Sequence, residues 1–221
     1  GWENNKKKNI IPVGNFKSSF KKIKHSPDGN ILITGMTLPR FSYYLYSVPI
    51  ASQVESYFDD QIKFAEHLPD QILRFLKVRL YSLDRGWNQS ERWKSKFGNR
   101  ILFDDNKQKL IHSLENCRLF IGTYNATTYI EAFSVNMPSI LFWNPNHWEI
   151  NDITKDLFQK LENEKIFHKS PESAAEHLID IWDDIDSWWF RGSVQNAVNE
   201  FKETFSKQDS NILNSIKICL S

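Results

Sequence analysis

Short apolar runs alternate along the chain with longer segments whose apolar residues recur every three or four positions. The runs typical of buried strands begin at Ile31, Phe75, Ile101, Leu119 and Ser139, with a shorter one at Phe167. The segments between them have the spacing of one helical face. Polar residues follow most of the runs. This alternation predicts an α/β fold of the doubly wound, Rossmann-like type with a mostly parallel sheet.

The segment from Arg118 to Trp143 contains a complete βαβ unit. A buried strand ends at Gly122, a polar turn follows, and Ile130, Phe133 and Met137 then recur at helical spacing. A second apolar run follows Pro138. In open α/β sheets, ligands bind at the carboxyl ends of the strands. We therefore expect the polar turn to lie at a ligand site.

The polar turn has the composition of a phosphate-binding site. Its candidate ligand-binding residues are Thr123, Asn125, Thr127 and Thr128. Hydroxyl groups, free N–H groups and the positive end of the helix dipole all favour a phosphate. Glu131, about one turn later, can accept hydrogen bonds from two ribose hydroxyls. The alternative is an ordinary βαβ crossover whose threonines cap the helix.

The turn resembles the donor-binding signature of the GT-B glycosyltransferases. The similarity is carried by Thr128, by Glu131 three residues later and by Pro138 before the next strand. It is closest to the branch that includes the lipid II-forming N-acetylglucosaminyltransferase, although Asn125 stands where that branch usually has Gly. The chain also resembles bacterial surface-carbohydrate transferases that use CMP-activated sugars. In this resemblance Glu131 holds the ribose, and backbone groups near Phe103 contact the pyrimidine.

Other polar residues also follow predicted strands. Thr37 and Arg40 follow the first strand, and Arg79 lies at the end of the second. They are candidates for donor phosphates, since a guanidinium binds phosphate with two parallel bonds. A surface ion pair is the alternative for Arg40. His147 follows the strand that ends near Trp143, either as a site residue or as a hydrogen-bonded surface residue. Arg40, Arg79 and His147 are candidate catalytic residues, and no general base is assigned.

Three further local patterns lead to structural predictions. Asp104 or Asp105 is a suitable N-cap for the helix that carries Leu110 and Leu114. Trp87 and Trp93 are expected to pack against the scaffold. The apolar stripe in the last part of the chain is expected to be core, and it comprises Ala174, Leu178, Ile181, Trp182, Ile185, Trp188 and Trp189.

Composition limits the partners and cofactors of the protein. The formal net charge of +1 argues against nucleic acid as a partner. Cys117 and Cys219 form no zinc or CxxC pattern, which favours a reducing, cytoplasmic setting. No metal-ligand cluster or GxGxxG motif is present, so we expect no metal and no cofactor. No apolar run is long enough to span a membrane, and the start does not resemble a signal peptide.

The resemblance implies that the chain is the carboxyl-terminal, donor-binding half of a GT-B enzyme. We expect a basic arm or linker at residues 1–29, a nucleotide-sugar-binding domain at 30–190 and a helical extension at 191–221. The chain begins with Gly1 instead of Met, which suggests a fragment, and we expect no room in it for the acceptor-binding amino-terminal domain of a complete GT-B enzyme. Either the sequence omits that domain or the domain is supplied elsewhere.

The implied function is transfer of a sugar from a UDP- or CMP-activated donor to a bacterial surface polysaccharide or a lipid-linked acceptor. The lysines of the arm suit peripheral contact with the inner face of the membrane. Two alternatives remain: a UDP-sugar epimerase-like enzyme and a non-catalytic nucleotide-binding module.

Overall fold

The computed structural model describes residue 14 and residues 23–41, 49–207 and 212–220. Six strands form one sheet: β1 (Asn30–Thr34), β2 (Leu76–Arg79), β3 (Leu102–Phe103), β4 (Cys117–Gly122), β5 (Ser139–Phe142) and β6 (Phe167–His168). All strand pairs are parallel, in the order β3-β2-β1-β4-β5-β6. This confirms the predicted doubly wound α/β fold.

Helices connect and cover the strands. They are α1 (Ala51–His67), α2 (Asp70–Leu73), α3 (Gln89–Phe97), α4 (Leu110–Leu114), α5 (Thr127–Ser134), α6 (Asp152–Asn163), α7 (Pro171–Ile181), α8 (Ile185–Trp189), α9 (Gly192–Phe205) and α10 (Ile212–Leu220). Helix α1 packs against α7 and α3, while α5 packs against α4 and α9. Within the described part of the chain, no helix is both long and apolar enough to cross a membrane.

The apolar runs form the strands because both faces of the sheet are covered by helices. Ile31, Leu32 and Ile33 of β1 are each 0% exposed, so side chains on both faces of this central strand are buried. A strand covered on both sides carries a continuous apolar run, as predicted. Aromatic rings fill the layers beside it, and Phe64 of α1 stacks on Phe142 of β5 with 5.0 Å between the ring centroids.

The structure confirms the expected packing of the tryptophans but changes two local predictions. Trp87 and Trp93 are buried. The predicted apolar stripe is core or packs against it, but it is divided between α7 and α8. The Asp184 side chain accepts a hydrogen bond from the Ser187 N–H and starts a new helix. The prediction that Asp104 or Asp105 caps α4 is wrong, because α4 begins at Leu110 and Lys109 occupies the cap position.

The domain boundaries predicted after residues 29 and 190 stay predictions. Most of the predicted basic arm, at residues 1–13 and 15–22, lies outside the described residues.

Candidate functional site

The candidate site lies where the direction of sheet winding reverses. Strands β1 and β4 are neighbours in the sheet but are separated in sequence by β2 and β3. In register, Thr34 of β1 lies between Arg79 of β2 and Gly122 of β4. The chain therefore leaves β1 at Gly35 and β4 at Thr123 on adjacent strands. This arrangement opens a crevice at the carboxyl ends, where doubly wound proteins bind ligands.

Four groups connect helix α1 to the two strand ends. The Met36 N–H donates to the Tyr57 hydroxyl at 2.8 Å, and the Tyr57 and Thr123 hydroxyl oxygens are 3.0 Å apart. The Thr123 hydroxyl donates to the Thr34 carbonyl at 2.7 Å. Because the Thr123 hydroxyl proton is used in the bond to Thr34, the Tyr57 hydroxyl must be the donor in the bond between Tyr57 and Thr123. Burial raises the pKa of Tyr57, which keeps the phenol protonated and able to donate.

This network gives Thr123 a structural position. Its side chain is 1% exposed, and its hydroxyl is engaged inside the protein as both donor and acceptor. The predicted phosphate-binding residue therefore holds the ends of β1 and β4 together in this structure. A ligand at the turn would therefore contact other side chains.

The first turn of α5 is open to a ligand. Ala126 occupies the N-cap position, and no side chain caps the helix. The alternative in which the threonines cap the helix is therefore not the arrangement observed. Thr127 is exposed and Thr128 is half-buried. Thr127 and Glu131 are four residues apart and share one face of the helix, whereas the opposite face joins the core.

Two further side chains of the turn interact with their neighbours. The Tyr129 hydroxyl donates to the Asn125 side-chain oxygen at 2.9 Å, which fixes the orientation of the Asn125 amide. The side-chain N–H₂ group of Asn125 takes no part in this hydrogen bond. Asn125 is half-buried, so this amide end can contact a ligand at the turn.

Tyr124 also belongs to the candidate site, although no pattern in the sequence distinguishes it from the other residues of the turn. Burial raises the pKa of the Tyr124 hydroxyl, and the neighbouring Thr128 and Thr34 side chains act in the opposite direction. The charges of Glu131 and Arg79 also act on it. The Tyr124 phenol thus lies among the side chains that the prediction had selected separately. Its position inside the polar turn was the only available signal.

Arg79 is committed to the loop after β3. Its guanidinium donates to the Asp104 carboxylate at 2.6 Å, to the Ser113 hydroxyl at 3.1 Å and to the Gln108 carbonyl at 2.7 Å. Ser113 also donates to Asp104 at 3.2 Å. The Asp104 side chain is only 5% exposed, so this ion pair is largely removed from water. Arg79 therefore orders the β3–α4 loop, and Asp104 is its partner instead of a helix cap.

The loop after β1 carries Thr37 and Arg40. The Thr37 hydroxyl oxygen is buried, with no hydrogen-bond partner in the described part of the chain. Arg40 is exposed, donates to the Gly86 carbonyl at 3.3 Å and lies over the Trp87 ring at 5.5 Å. The Trp87 indole N–H in turn donates to the Leu38 carbonyl at 2.7 Å. Arg40 is thus stacked on the neighbouring loop, and none of the residues that the structure describes forms an ion pair with it.

Phe103 lies at the end of edge strand β3 and lines a cavity of about 380 Å³. Val78 and Leu80 contribute apolar walls, and Gln89 contributes a side-chain oxygen without a hydrogen-bond partner among the described residues. The remaining lining residues are mostly polar and include Asp84, Lys94 and Asp104, so the cavity combines apolar walls with charged groups. This cavity is open to the same edge of the sheet as the β4–α5 turn.

His147 is in the loop after β5. Its Nδ1 is buried without a hydrogen-bond partner in the described residues, and its ring lies near Asp60 of α1. Burial raises the pKa of Asp60, whereas Lys63 and His147 act in the opposite direction. The adjacent Trp148 packs edge-on against Tyr57 at 5.4 Å. This loop therefore reaches the residue that positions Thr123.

Within the described ranges, no group of three or more histidine, cysteine, aspartate and glutamate residues could hold a metal ion.

Comparison with known proteins identifies a family. A family model described as LIC12162 family transferase matches residues 1–218. Among curated proteins, none matches the chain. A solved structure of the wall teichoic acid polymerase TagF is similar, with 12% sequence identity and a TM-score of 0.39 over 89% of this chain. The alignment covers 44% of that polymerase, so the chain spans less than half of its length.

Proposed function

The chain belongs to the LIC12162 family of transferases, and we propose that the group it transfers is a sugar carried by a UDP or CMP donor. The observation that carries this proposal is the uncapped start of α5 at the reversal of sheet winding. The first N–H groups of a helix have no intrahelical partners and attract an anion. A nucleotide phosphate is the anion that suits this location.

The exposed face of α5 supports contact with both phosphate and ribose. In the proposed complex, the exposed Thr127 and the first N–H groups of the helix bind the phosphate. The Thr128 hydroxyl oxygen is enclosed in this structure, so Thr128 contributes only if the groups that cover it move on binding. Glu131 accepts hydrogen bonds from the ribose hydroxyls one turn further along the helix. A carboxylate at that distance from the helix start is separated from the phosphate, which reduces the repulsion between them.

The same groups would also promote the chemical step. Negative charge accumulates on the leaving phosphate as the glycosidic bond breaks. Fixed hydrogen-bond donors stabilise that charge without having to reorganise. Rigidity of the turn is therefore important, and the bonds from Thr123 to Thr34 and Tyr57 provide it.

The base would occupy the region around Phe103. The cavity of about 380 Å³ beside this residue has apolar walls, and Asp84 and Lys94 are among its polar lining residues. Arg79 acts indirectly in this proposal, because its contacts with Asp104 and Gln108 order the loop that bounds the region. Arg40 is the exposed cation of the neighbouring loop and is proposed to approach the donor phosphates.

The acceptor side of the reaction is also a proposal. We place the acceptor, a surface polysaccharide or a lipid-linked glycan, across the crevice from α5, with a second domain holding it. The reaction would take place in the cytoplasm or at the inner face of the membrane. The proposed mechanism uses no metal or other cofactor.

Calorimetric titration of the chain with UDP, CMP, GDP and ADP tests the donor site. We expect a pyrimidine nucleotide to bind most tightly. Thr127→Val should weaken binding about tenfold, since a hydrogen bond to a charged group is lost. Thr204→Val on α9 is the matched control, because the Thr204 hydroxyl donates to the Glu200 carbonyl of its own helix and lies on a different helix from the proposed site. Absence of binding by any of the four nucleotides to the folded chain would disprove the proposal.

A further inference from the structure

Tyr81 lines the cavity of about 380 Å³ that is proposed to hold the nucleobase. It follows the end of β2 closely, at the carboxyl edge of the sheet. The residue is 55% exposed, so much of its side chain is not covered by the protein. Val78, Leu80 and Phe103 line the same cavity. An exposed aromatic ring and apolar walls therefore surround one open volume.

The charged side chains of this cavity already have partners within the protein. The Asp84 carboxylate accepts hydrogen bonds from backbone N–H groups of its own loop. Asp104 is paired with Arg79 at 2.6 Å, and Lys94 is paired with Glu91 at 2.9 Å. These pairings reduce the attraction of the cavity for an ion of either sign.

The other lining residues favour a flat, uncharged ligand. The walls are apolar, Tyr81 presents the face of its ring, and Ser82 and Ser90 carry hydroxyl groups that can donate or accept hydrogen bonds. A nucleobase has two flat faces and a polar edge, which match these features. Aromatic side chains bind bases by stacking, since every base has a π-face.

The cavity lies within reach of a nucleotide held at the start of α5. Its walls come from the ends of β2 and β3, and only β1 separates β2 from β4. Because neighbouring strands are about 4.8 Å apart, the ends of β2 and β4 are roughly 10 Å apart. A nucleoside diphosphate can extend over this distance, with its phosphates at the helix and its base beside Tyr81.

We infer that Tyr81 stacks on the base of the bound nucleotide. The contact needs the flat ring of Tyr81 but not its hydroxyl group. Because stacking accepts every base, Tyr81 supplies affinity, and the preference among bases depends on the polar groups of the cavity. This inference rests on the proposed donor site and deepens it, because it assigns the side chain that binds the base.

Calorimetric titration of the full chain with UDP and CMP tests the inference. Tyr81→Ala should weaken nucleotide binding about tenfold, since a stacking contact is lost. Tyr81→Phe keeps the ring and should bind as the unmodified chain does. Tyr81→Leu keeps an apolar side chain without a flat face, so it should behave like Tyr81→Ala. Inorganic pyrophosphate, which has no base, should bind equally to the unmodified chain and the three variants.

Phe190→Ala is the matched control, because Phe190 is an aromatic residue of similar exposure, 51%, at the end of α8 and does not line the cavity. It should leave nucleotide binding unchanged. Should Tyr81→Ala not fold, the comparison of Tyr81→Phe with Tyr81→Leu decides.

Three results would overturn the inference while leaving the donor site in place. They are unchanged nucleotide affinity in Tyr81→Ala, equal affinity of the Tyr81→Phe and Tyr81→Leu variants, and an equal loss of affinity for nucleotide and pyrophosphate in Tyr81→Ala. Absence of nucleotide binding by the unmodified chain would instead remove the donor site and the inference together.

Discussion

The hydroxyl oxygens of Tyr57 and Thr123 lie 3.0 Å apart, although 66 residues separate them in sequence. Tyr57 is on α1, which follows β1, and Thr123 begins the turn after β4. The bond therefore fastens a helix from the first half of the fold to the turn that starts the second half. Because Thr123 also donates to the Thr34 carbonyl, the pair fixes both sides of the crevice.

Removing the Tyr57 hydroxyl should loosen this crevice. Tyr57→Phe leaves the Met36 N–H and the Thr123 oxygen without their partner. We expect the free energy of unfolding to fall by about 1–3 kcal/mol, the cost of an unsatisfied buried group. Urea unfolding measures it. Tyr81→Phe is the control, because Tyr81 is 55% exposed. An equal effect of the two substitutions would show that the Tyr57 bond does not stabilise the fold.

A substitution of Glu131 should lower the affinity for nucleotide without lowering the free energy of unfolding. Glu131→Gln keeps the size of the side chain but weakens its acceptor, so a ribonucleotide should bind roughly tenfold more weakly. The matching 2′-deoxyribonucleotide should lose less, since it has one hydroxyl fewer to bind. Calorimetry with both nucleotides on both proteins gives the comparison. If the substitution weakened both nucleotides equally, Glu131 would not contact the 2′-hydroxyl.

The architecture could be predicted because its signals are local. An apolar run such as Leu119-Phe120-Ile121 predicts a buried strand by itself, and its alternation with helical segments predicts the winding. The direction of a polar side chain has no such local signal. Thr123 and Thr127 are equivalent in the sequence, but one is 1% exposed and the other lies on the surface. The difference arises from Tyr57, which no pattern near Thr123 reveals.

Ion pairs between residues far apart in sequence also lack a local sequence signal. Asp104 precedes a predicted helix and has the composition of a cap, yet it pairs with Arg79, 25 residues earlier. The pairing depends on the parallel register of β2 with β3, which places Val78 beside Phe103. Side-chain partners across a parallel sheet can be predicted only once strand order and register are known. Both assignments made for Arg79 and Asp104 from the sequence lacked that information.

The Arg79–Asp104 pair should contribute far more to stability than an exposed pair. Arg79→Met removes the closest cation from the nearly buried Asp104 carboxylate, which keeps Lys77 at 3.6 Å and hydrogen bonds from Ser113 and from the Asn106 N–H. We expect a loss of roughly 3 kcal/mol in the free energy of unfolding, because a largely buried charge loses its strongest partner. Arg100→Met breaks the exposed pair with Asp70 and should cost less than about 1 kcal/mol. Urea unfolding of both variants gives the comparison, and similar losses would contradict the assigned burial of Asp104.

His177 should make the fold sensitive to acid. Burial lowers the pKa of His177 to about 3 in the folded chain, below the ordinary value of 6.5. Between these pH values the unfolded chain binds a proton at this residue and the folded chain does not. The groups facing the ring are Lys165 before β6, His168 on β6, Trp188 on α8 and Arg191 before α9. Lys165 and Arg191 are cationic, and His168 becomes cationic in acid, so all three oppose protonation of the His177 ring.

The stability contributed by neutral His177 is therefore fully present above pH 6.5 and is lost as the pH falls toward about 3. The slope from this group is at most about 1.4 kcal/mol per pH unit. Urea unfolding between these limits should show a shallower pH dependence for His177→Phe than for the unmodified chain. His112→Phe is the control, because the His112 side chain is 56% exposed, and it should leave the slope unchanged. If His177→Phe did not reduce the slope, the ring would have a partner that keeps its pKa near the ordinary value.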